Sequence, residues 1–398
     1  MQPRIYFDHS ATTPLDPRVL DAMAPFLGGA FGNSSSLHHE GRVARTAIDK
    51  ARAQVAALIG AQPDEIIFTA SGTEADNLAL IGAVRASGKP GHVVTSSIEH
   101  AAILQTCKFL ASAGAKITYL PVDSNGLVKT DGLLRALQSN VTFVSIMAAN
   151  NVVGTLQPIR ELAHLTKLHG ALFHTDAVQA GGKIPLDVNH LHLDLLSLSA
   201  HKLHGPKGIG ALYVRNGVKL SPIIFGGGQE RGLRSATENV AGIVGFGAAA
   251  EIARLELDEE ASRLKEFREH IASELRRLFP HACIFGHATE RLPGHLSFGL
   301  RGQEREVGRL LTVLDQAGVA ASAGSACSAH HSGAPSGVLL AMGYDAESAR
   351  GLIRVSLGRF NTRPEVDSFL QKLEEAVETL SPAKCDNALS EEFSSVVP

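Results

Sequence analysis

Residues 194–208, Asp-Leu-Leu-Ser-Leu-Ser-Ala-His-Lys-Leu-His-Gly-Pro-Lys-Gly, carry an apolar, strand-like run into a turn that holds Lys202. An ammonium is costly to bury unless it is paired, neutral or covalently used. Other polar residues follow strand-like runs in the same way. Gly72 and Thr73 come after 66–69, His100 after 93–96, Asn151 after 142–147, Asp176 near the end of 171–179, and Ser199 and His201 beside Lys202. Singly, each has a plainer reading: Lys202 as a surface loop residue, 70–77 as an N-capped helix start. Five strand ends together argue for a site, because open α/β sheets bind ligands beyond the carboxyl ends of their strands. The set offers a lysine, an acid, a planar imidazole and a small-residue helix start whose N–H groups and dipole attract an anion. A cofactor that holds amines through lysine, keeps a pyridine nitrogen protonated and carries a phosphate needs those groups, which points to pyridoxal phosphate as an electron sink.

The elements that must position these residues alternate strand and helix from about residue 66 to 214, the pattern of a mainly parallel, doubly wound sheet. Before it, 4–17 reads as a short strand entering a loop, and 37–59 as a helix with Val43, Ala47, Ile48, Ala51, Val55 and Leu58 at helical spacing. A glycine-rich loop, 225–239, precedes a long helix expected over 248–278, with Pro280 closing it. The domain boundary is expected within that helix: a large domain over 16–260, a smaller α/β domain from 1–15 and 261–385, and a frayed tail over 386–398. In the smaller domain, strands near 283–285, 295–300 and 352–357 accompany helices over 305–317 and 365–380. A strand over 318–321 enters 322–335, a loop built almost wholly of small residues around Cys327.

Composition excludes several functions. With 398 residues, 44% hydrophobic content and a net charge of −3, the chain has no electrostatic case for nucleic acid or an anionic membrane. No apolar run is long enough to span a bilayer, and the N-terminus lacks a signal-like core. Cys107, Cys283, Cys327 and Cys385 form no Cys-x-x-Cys pair, which fits a reducing cytoplasm better than a disulfide framework or zinc site. The 18 histidines include close groupings such as His38-His39 and His330-His331, but none has metal-ligand spacing with a Cys or Glu. No Walker loop and no Gly-x-Gly-x-x-Gly after a strand is present.

From Tyr6-Phe7-Asp8 to about residue 380, the chain resembles the NifS/IscS-type cysteine desulfurases of the class V aminotransferase family, pyridoxal-phosphate enzymes of fold type I. The resemblance is carried by 68–77, 174–179, 194–210, 226–239, Gly324-Ser325-Ala326-Cys327-Ser328 and 354–359. It implies that Lys202 bonds the cofactor and acts as acid and base at the substrate Cα, while Asp176 pairs with the pyridine nitrogen. Gln179 would contact the ring hydroxyl, and His100 would stack on the ring and shuttle a proton. Gly72, Thr73, Ser199 and His201 would hold the phosphate, and Thr237 would reach the phosphate of a neighbouring subunit, implying a homodimer. Asn151 and Arg354 would hold the substrate carboxylate, a task suited to arginine's bidentate fork. Cys327 would be the nucleophile, taking sulfur from L-cysteine as a persulfide, releasing L-alanine and passing sulfur to an acceptor for iron–sulfur cluster or thio-cofactor synthesis. A selenocysteine lyase, another class V enzyme, or a non-catalytic sulfur carrier or assembly scaffold remain alternatives. The chain departs from the family pattern at His9-Ser10, Ser34, Ala70-Ser71, Val152 and Ala236, and of these His9 and Val152 are expected to line the site.

Overall fold

Runs such as Ile66–Thr69 and Leu195–Ser199, buried at every position, need cover on both faces, and only a sheet between two layers provides it. The computed structural model describes residues 4–324 and 334–380, so Cys327, Cys385 and the expected tail over 386–398 lie outside the described residues. Its strands are β1 (Ile5–Tyr6), β2 (Ile66–Thr69), β3 (His92–Ser96), β4 (Lys116–Leu120), β5 (Phe143–Ser145), β6 (Leu172–Asp176), β7 (Leu195–Ser199), β8 (Gly210–Val214), β9 (Cys283–Phe285), β10 (His295–Gly299), β11 (Val319–Ala320) and β12 (Ile353–Ser356).

Seven strands form the main sheet in the order β2-β8-β7-β6-β5-β3-β4. Strand β8 runs antiparallel to both neighbours, and the other pairings are parallel. The carboxyl ends of β2, β3, β5, β6 and β7 therefore share one edge. Apolar clusters cover both faces, one centred on Ile48, Phe173 and Phe246 and the other on Leu78, Ile103 and Phe143. A further core packs Phe298, Val355, Leu310 and Phe369 over the antiparallel sheet β12-β10-β9, and includes Ile5 and Phe7 from the chain start. Strand β1 pairs with β11, which anchors that start.

Helix Val240–Leu278 joins the cores, giving Ile243, Phe246 and Ala250 to one and Leu264, Ile271 and Leu275 to another. Its 39 residues span about 58 Å at 1.5 Å per residue, about two turns longer at the N-terminal end than the expected 248–278. Gly242, Gly245 and Gly247 read as breakers, yet here they permit close packing. A Cβ on Gly247 would lie 2.6 Å from the Cα of Ala51, in helix His39–Leu58. The Asn239 side chain caps the start by accepting from Gly242 N at 3.0 Å. A second helix, Pro17–Leu27, fills a stretch the sequence reading leaves unassigned, signalled by the Asp16 cap and by proline at the first helical position. On the sheet edge, Glu230 Oε2 accepts from Phe68 N of β2 at 2.9 Å while both its oxygens pair with Arg52. A charged clamp thus covers a strand that would otherwise expose its backbone.

Asp16 also ties the fold together. Its carboxylate is 1% exposed and accepts from Arg18 and from the buried Arg359, which in turn reaches Glu256 and Glu260 of the long helix. The Arg18 hydrogen bond holds the Asp16 carboxyl well below the usual carboxylate range. Asp16→Ala removes a helix cap and one of the three carboxylates around the buried Arg359, so it should cost about 2 kcal/mol, measured as a drop in the denaturation midpoint. Because the folded-state carboxyl is the stronger acid, this stabilisation is complete above the unfolded value of about 4 and fades as pH falls below it. The gap between wild type and variant should narrow in that range.

Candidate active site

The shared carboxyl edge gathers most of the expected residues. Gly72 is buried at the first position of helix Gly72–Ala86, whose cap Ser71 accepts from Glu74 N at 3.1 Å. A Cβ on Gly72 would strike Val178 at 2.5 Å, so only glycine lets the helix start sit this close to the β6 edge. Gly210 plays the matching part opposite Ser199, since a Cβ there would lie 2.5 Å from the Ser71 backbone. Thr73 stands exposed on the same turn. Together these make a tight, N–H-rich hollow of the kind that cradles phosphate.

Lys202 ends a short 3-10 turn, Ala200–Lys202, directly after β7. Its Nζ donates to the carbonyls of Ser10 at 2.5 Å and Ala11 at 2.6 Å. Gln179 donates through Nε2 to the same Ser10 carbonyl at 2.8 Å. His201 Nδ1 meets Thr12 Oγ1 at 3.1 Å, and burial pushes its pKa down to about 4, so the ring is neutral near pH 7. His100 caps helix Ala101–Ser112, its Nδ1 accepting from Ala102 N at 3.1 Å. That bond places the neutral ring's proton on Nε2.

Asp176 sits at the end of β6, 5% exposed, with Oδ1 accepting from Val178 N at 2.9 Å. Burial raises its pKa, while charge on His100 and Lys202 pulls it back down. Two further carboxyls share its surroundings and have no counterpart in the sequence reading. Glu99 is pushed up to about 8 by burial despite bonds from Ser96 Oγ and Met147 N. Asp76 is raised by burial and by Asp176, and its Oδ1 is buried without a hydrogen-bond partner. His174, held between Ser145 Oγ and Ser197 Oγ at 2.9 Å each, is pushed down to about 3 by burial and stays neutral. The available signals were faint. His174 lies two residues before Asp176 and so on the same face of β6, Glu99 precedes His100, and Asp76 interrupts an apolar helix face.

Arg354 of β12 is 1% exposed and is brought to Asn151, whose carbonyl accepts from Nη1 at 2.9 Å. Asp8 takes Nη2 at 2.7 Å, and Nε is buried without a partner. Ser199 is buried at the end of β7, and Thr237 is exposed on the loop before the long helix. Among the described residues, the Val152 side chain packs with Val153, Phe285 and Leu339 rather than facing Lys202, because the turn after Asn150 directs it into an apolar cluster. His9 does lie beside Lys202, on the wall of a cavity between the two sheets.

Pyridoxal phosphate fits these residues. Three buried carboxyls, one with an orphaned oxygen, converge where a protonated ring nitrogen would supply positive charge, and the glycine-lined helix start lies at the same sheet edge. The family described as Aminotransferase class-V matches residues 5–369. A protein named cysteine desulfurase IscS from Dictyoglomus turgidum is 47% identical over 388 residues, covering 96% of this chain and 98% of the relative. Among solved structures, a NifS-like protein superposes with a TM-score of 0.88 at 42% identity, covering 95% of this chain and all of that one. SspA in complex with cysteine superposes with a TM-score of 0.79 at 37% identity, covering 90% of this chain and 100% of that one. With its fold, its sheet-edge site and its full-length likeness in agreement, the chain belongs to the class-V aminotransferase family and is of the NifS/IscS cysteine desulfurase type.

Proposed function

We propose that this chain is a pyridoxal-phosphate-dependent cysteine desulfurase that moves sulfur from L-cysteine to Cys327 and releases L-alanine. The observation that carries the reading is the meeting of Lys202, His100 and Asp176 at one sheet edge, close enough for His100 and Lys202 both to act on the Asp176 carboxyl. A solved relative, SspA, holds cysteine, which supports L-cysteine as the substrate class.

In this reading the Gly72–Thr73 turn, Ser199 and His201 hold the phosphate, Asp176 faces the ring nitrogen, and Gln179 and His100 flank the ring. When bound, the cofactor supplies an electron sink for negative charge at the substrate Cα. Lys202 Nζ takes the Cα proton and later returns one, its course limited by the Ser10 and Ala11 carbonyls. His100 presents Nε2 as its proton-bearing nitrogen because Nδ1 is occupied by Ala102 N. Arg354, fixed by Asp8 and by the Asn151 carbonyl, brings a guanidinium that still has N–H groups to offer to the substrate carboxylate. Cys327 thiolate attacks the substrate sulfur: an S–S bond forms, the Cβ–S bond breaks, and Cβ keeps the electron pair and gains a proton. The sulfur then passes as a persulfide to an acceptor protein, in a reducing cytoplasm suited to a free thiol. We further propose a homodimer in which the exposed Thr237 serves the partner's phosphate.

Incubation with L-cysteine and a thiol should yield alanine and sulfide in equal amounts. Cys327→Ala should lower alanine release at least about 100-fold while keeping the cofactor's visible absorbance. Lys202→Ala should lower it about 1000-fold and change that absorbance. A Cys327→Ala enzyme that releases alanine at the wild-type rate would remove the thiol from the reaction. The dimer is tested by light scattering, which should give twice the 42.0 kDa chain mass.

A further inference from the structure

Behind Lys202 lies a second amine. Lys183 lines the same cavity between the two sheets as Lys202, together with His9, His204, Glu260, His295 and Arg359. It follows Gln179 by one helical turn's spacing, and its Nζ donates to Gln179 Oε1 at 3.4 Å. Gln179 Nε2 donates in turn to the Ser10 carbonyl at 2.8 Å, and that carbonyl also receives Lys202 Nζ at 2.5 Å. The four groups form one line from Lys183 to Lys202.

A carboxamide can present either end. If Gln179 turned over, its oxygen would face the Ser10 carbonyl oxygen, two acceptors without a proton between them. An N–H donor at Oε1 removes that alternative. We propose that Lys183 is a positioning residue for Lys202, acting through the Gln179 carboxamide and the Ser10 carbonyl. The inference rests on the reading of Lys202 as the reacting lysine.

The surroundings of Lys183 suit this role. The groups acting on it are Lys202 from the turn after β7, Glu260 from the long helix and Arg354 from β12. His9, His204 and His295, which share its cavity, are all pushed down by burial and are neutral near pH 7, while Arg359 is paired with Asp16, Glu256 and Glu260. Glu260 is thus the acid facing the cavity, against several cations. Burial, with Lys202 next, pushes Lys183 down to about 7, so above neutrality it is a neutral amine that still donates to Gln179. Below neutrality it gains charge and opposes further positive charge on the Lys202 nitrogen.

The test uses the full-length holoenzyme with Lys183→Met, Lys183→Gln, Gln179→Leu and the Lys183→Met/Gln179→Leu double variant, beside wild type. Lys183→Met should lower kcat about tenfold, with KM for L-cysteine within about twofold, because a misplaced base costs turnover more than binding. The double variant should be no slower than the slower single, the non-additivity expected of one line of contacts. Lys183→Gln, which keeps an N–H donor without a charge, should recover most of the loss. Both Lys183 variants should raise, by roughly half a unit, the pH midpoint of the holoenzyme's visible absorbance change, since a like charge near the Lys202 nitrogen is gone. If Lys183→Met fails to retain the cofactor, Lys183→Gln and its double with Gln179→Leu carry the same comparison. Unchanged kcat and midpoint, or losses that add in the double variant, would overturn the inference. Wild type failing to release alanine would instead overturn the proposed reaction.

Discussion

Burial of negative charge at the end of β6 is the constraint around which this molecule is arranged. Asp176, Asp76 and Glu99 are each at most 5% exposed, and burial pushes all three toward protonation. Isolated carboxylates are expensive in such surroundings. Lys202 supplies part of the compensating charge from the neighbouring strand end, and a protonated ring nitrogen would complete it. The serines that flank His174 keep that ring satisfied while neutral. The site is therefore held short of positive charge by its own scaffold, a state suited to binding a cationic heterocycle tightly and in one orientation.

The first segment of the chain connects this edge to the second sheet. Asp8 orients Arg354, the Ser10 and Ala11 carbonyls receive Lys202, and Asp16 anchors Arg359. Ile5 and Phe7, next to them in sequence, are core residues of the β12-β10-β9 side. One stretch of about a dozen residues thus fixes Lys202, Arg354 and a cross-link to the long helix. Small shifts there would move three functions together, which explains why so many buried hydrogen bonds converge on so short a segment.

Much of the site was legible from strand ends alone. Each of Gly72, His100, Asn151, Asp176 and Lys202 follows an apolar run, and the parallel sheet brings those ends to one edge. The long helix begins before the expected residue 248 because Gly245 and Gly247 let Met23 and Ala51 of the neighbouring helices pack closely against it, a contact that spacing along the chain does not show. Helix Pro17–Leu27 is hard to see in the sequence although Asp16-Pro17 is a cap signal, because Leu20 and Leu27 are exposed and only Val19 and Met23 are buried. Val152 was misplaced because the direction of a side chain in a turn depends on the turn's dihedrals rather than on its neighbours in sequence.

Residue types and their order determined the alternating α/β pattern, the lysine at a strand end and the acid on the strand before it, since period and punctuation are local properties. Tertiary structure alone decided which polar groups became buried together. The convergence of Asp76 and Glu99 on Asp176, and of Lys183 on Lys202 through Gln179 and Ser10, joins residues from different elements. Burial and dielectric environment are properties of the packed whole, and no spacing along one strand or helix encodes them.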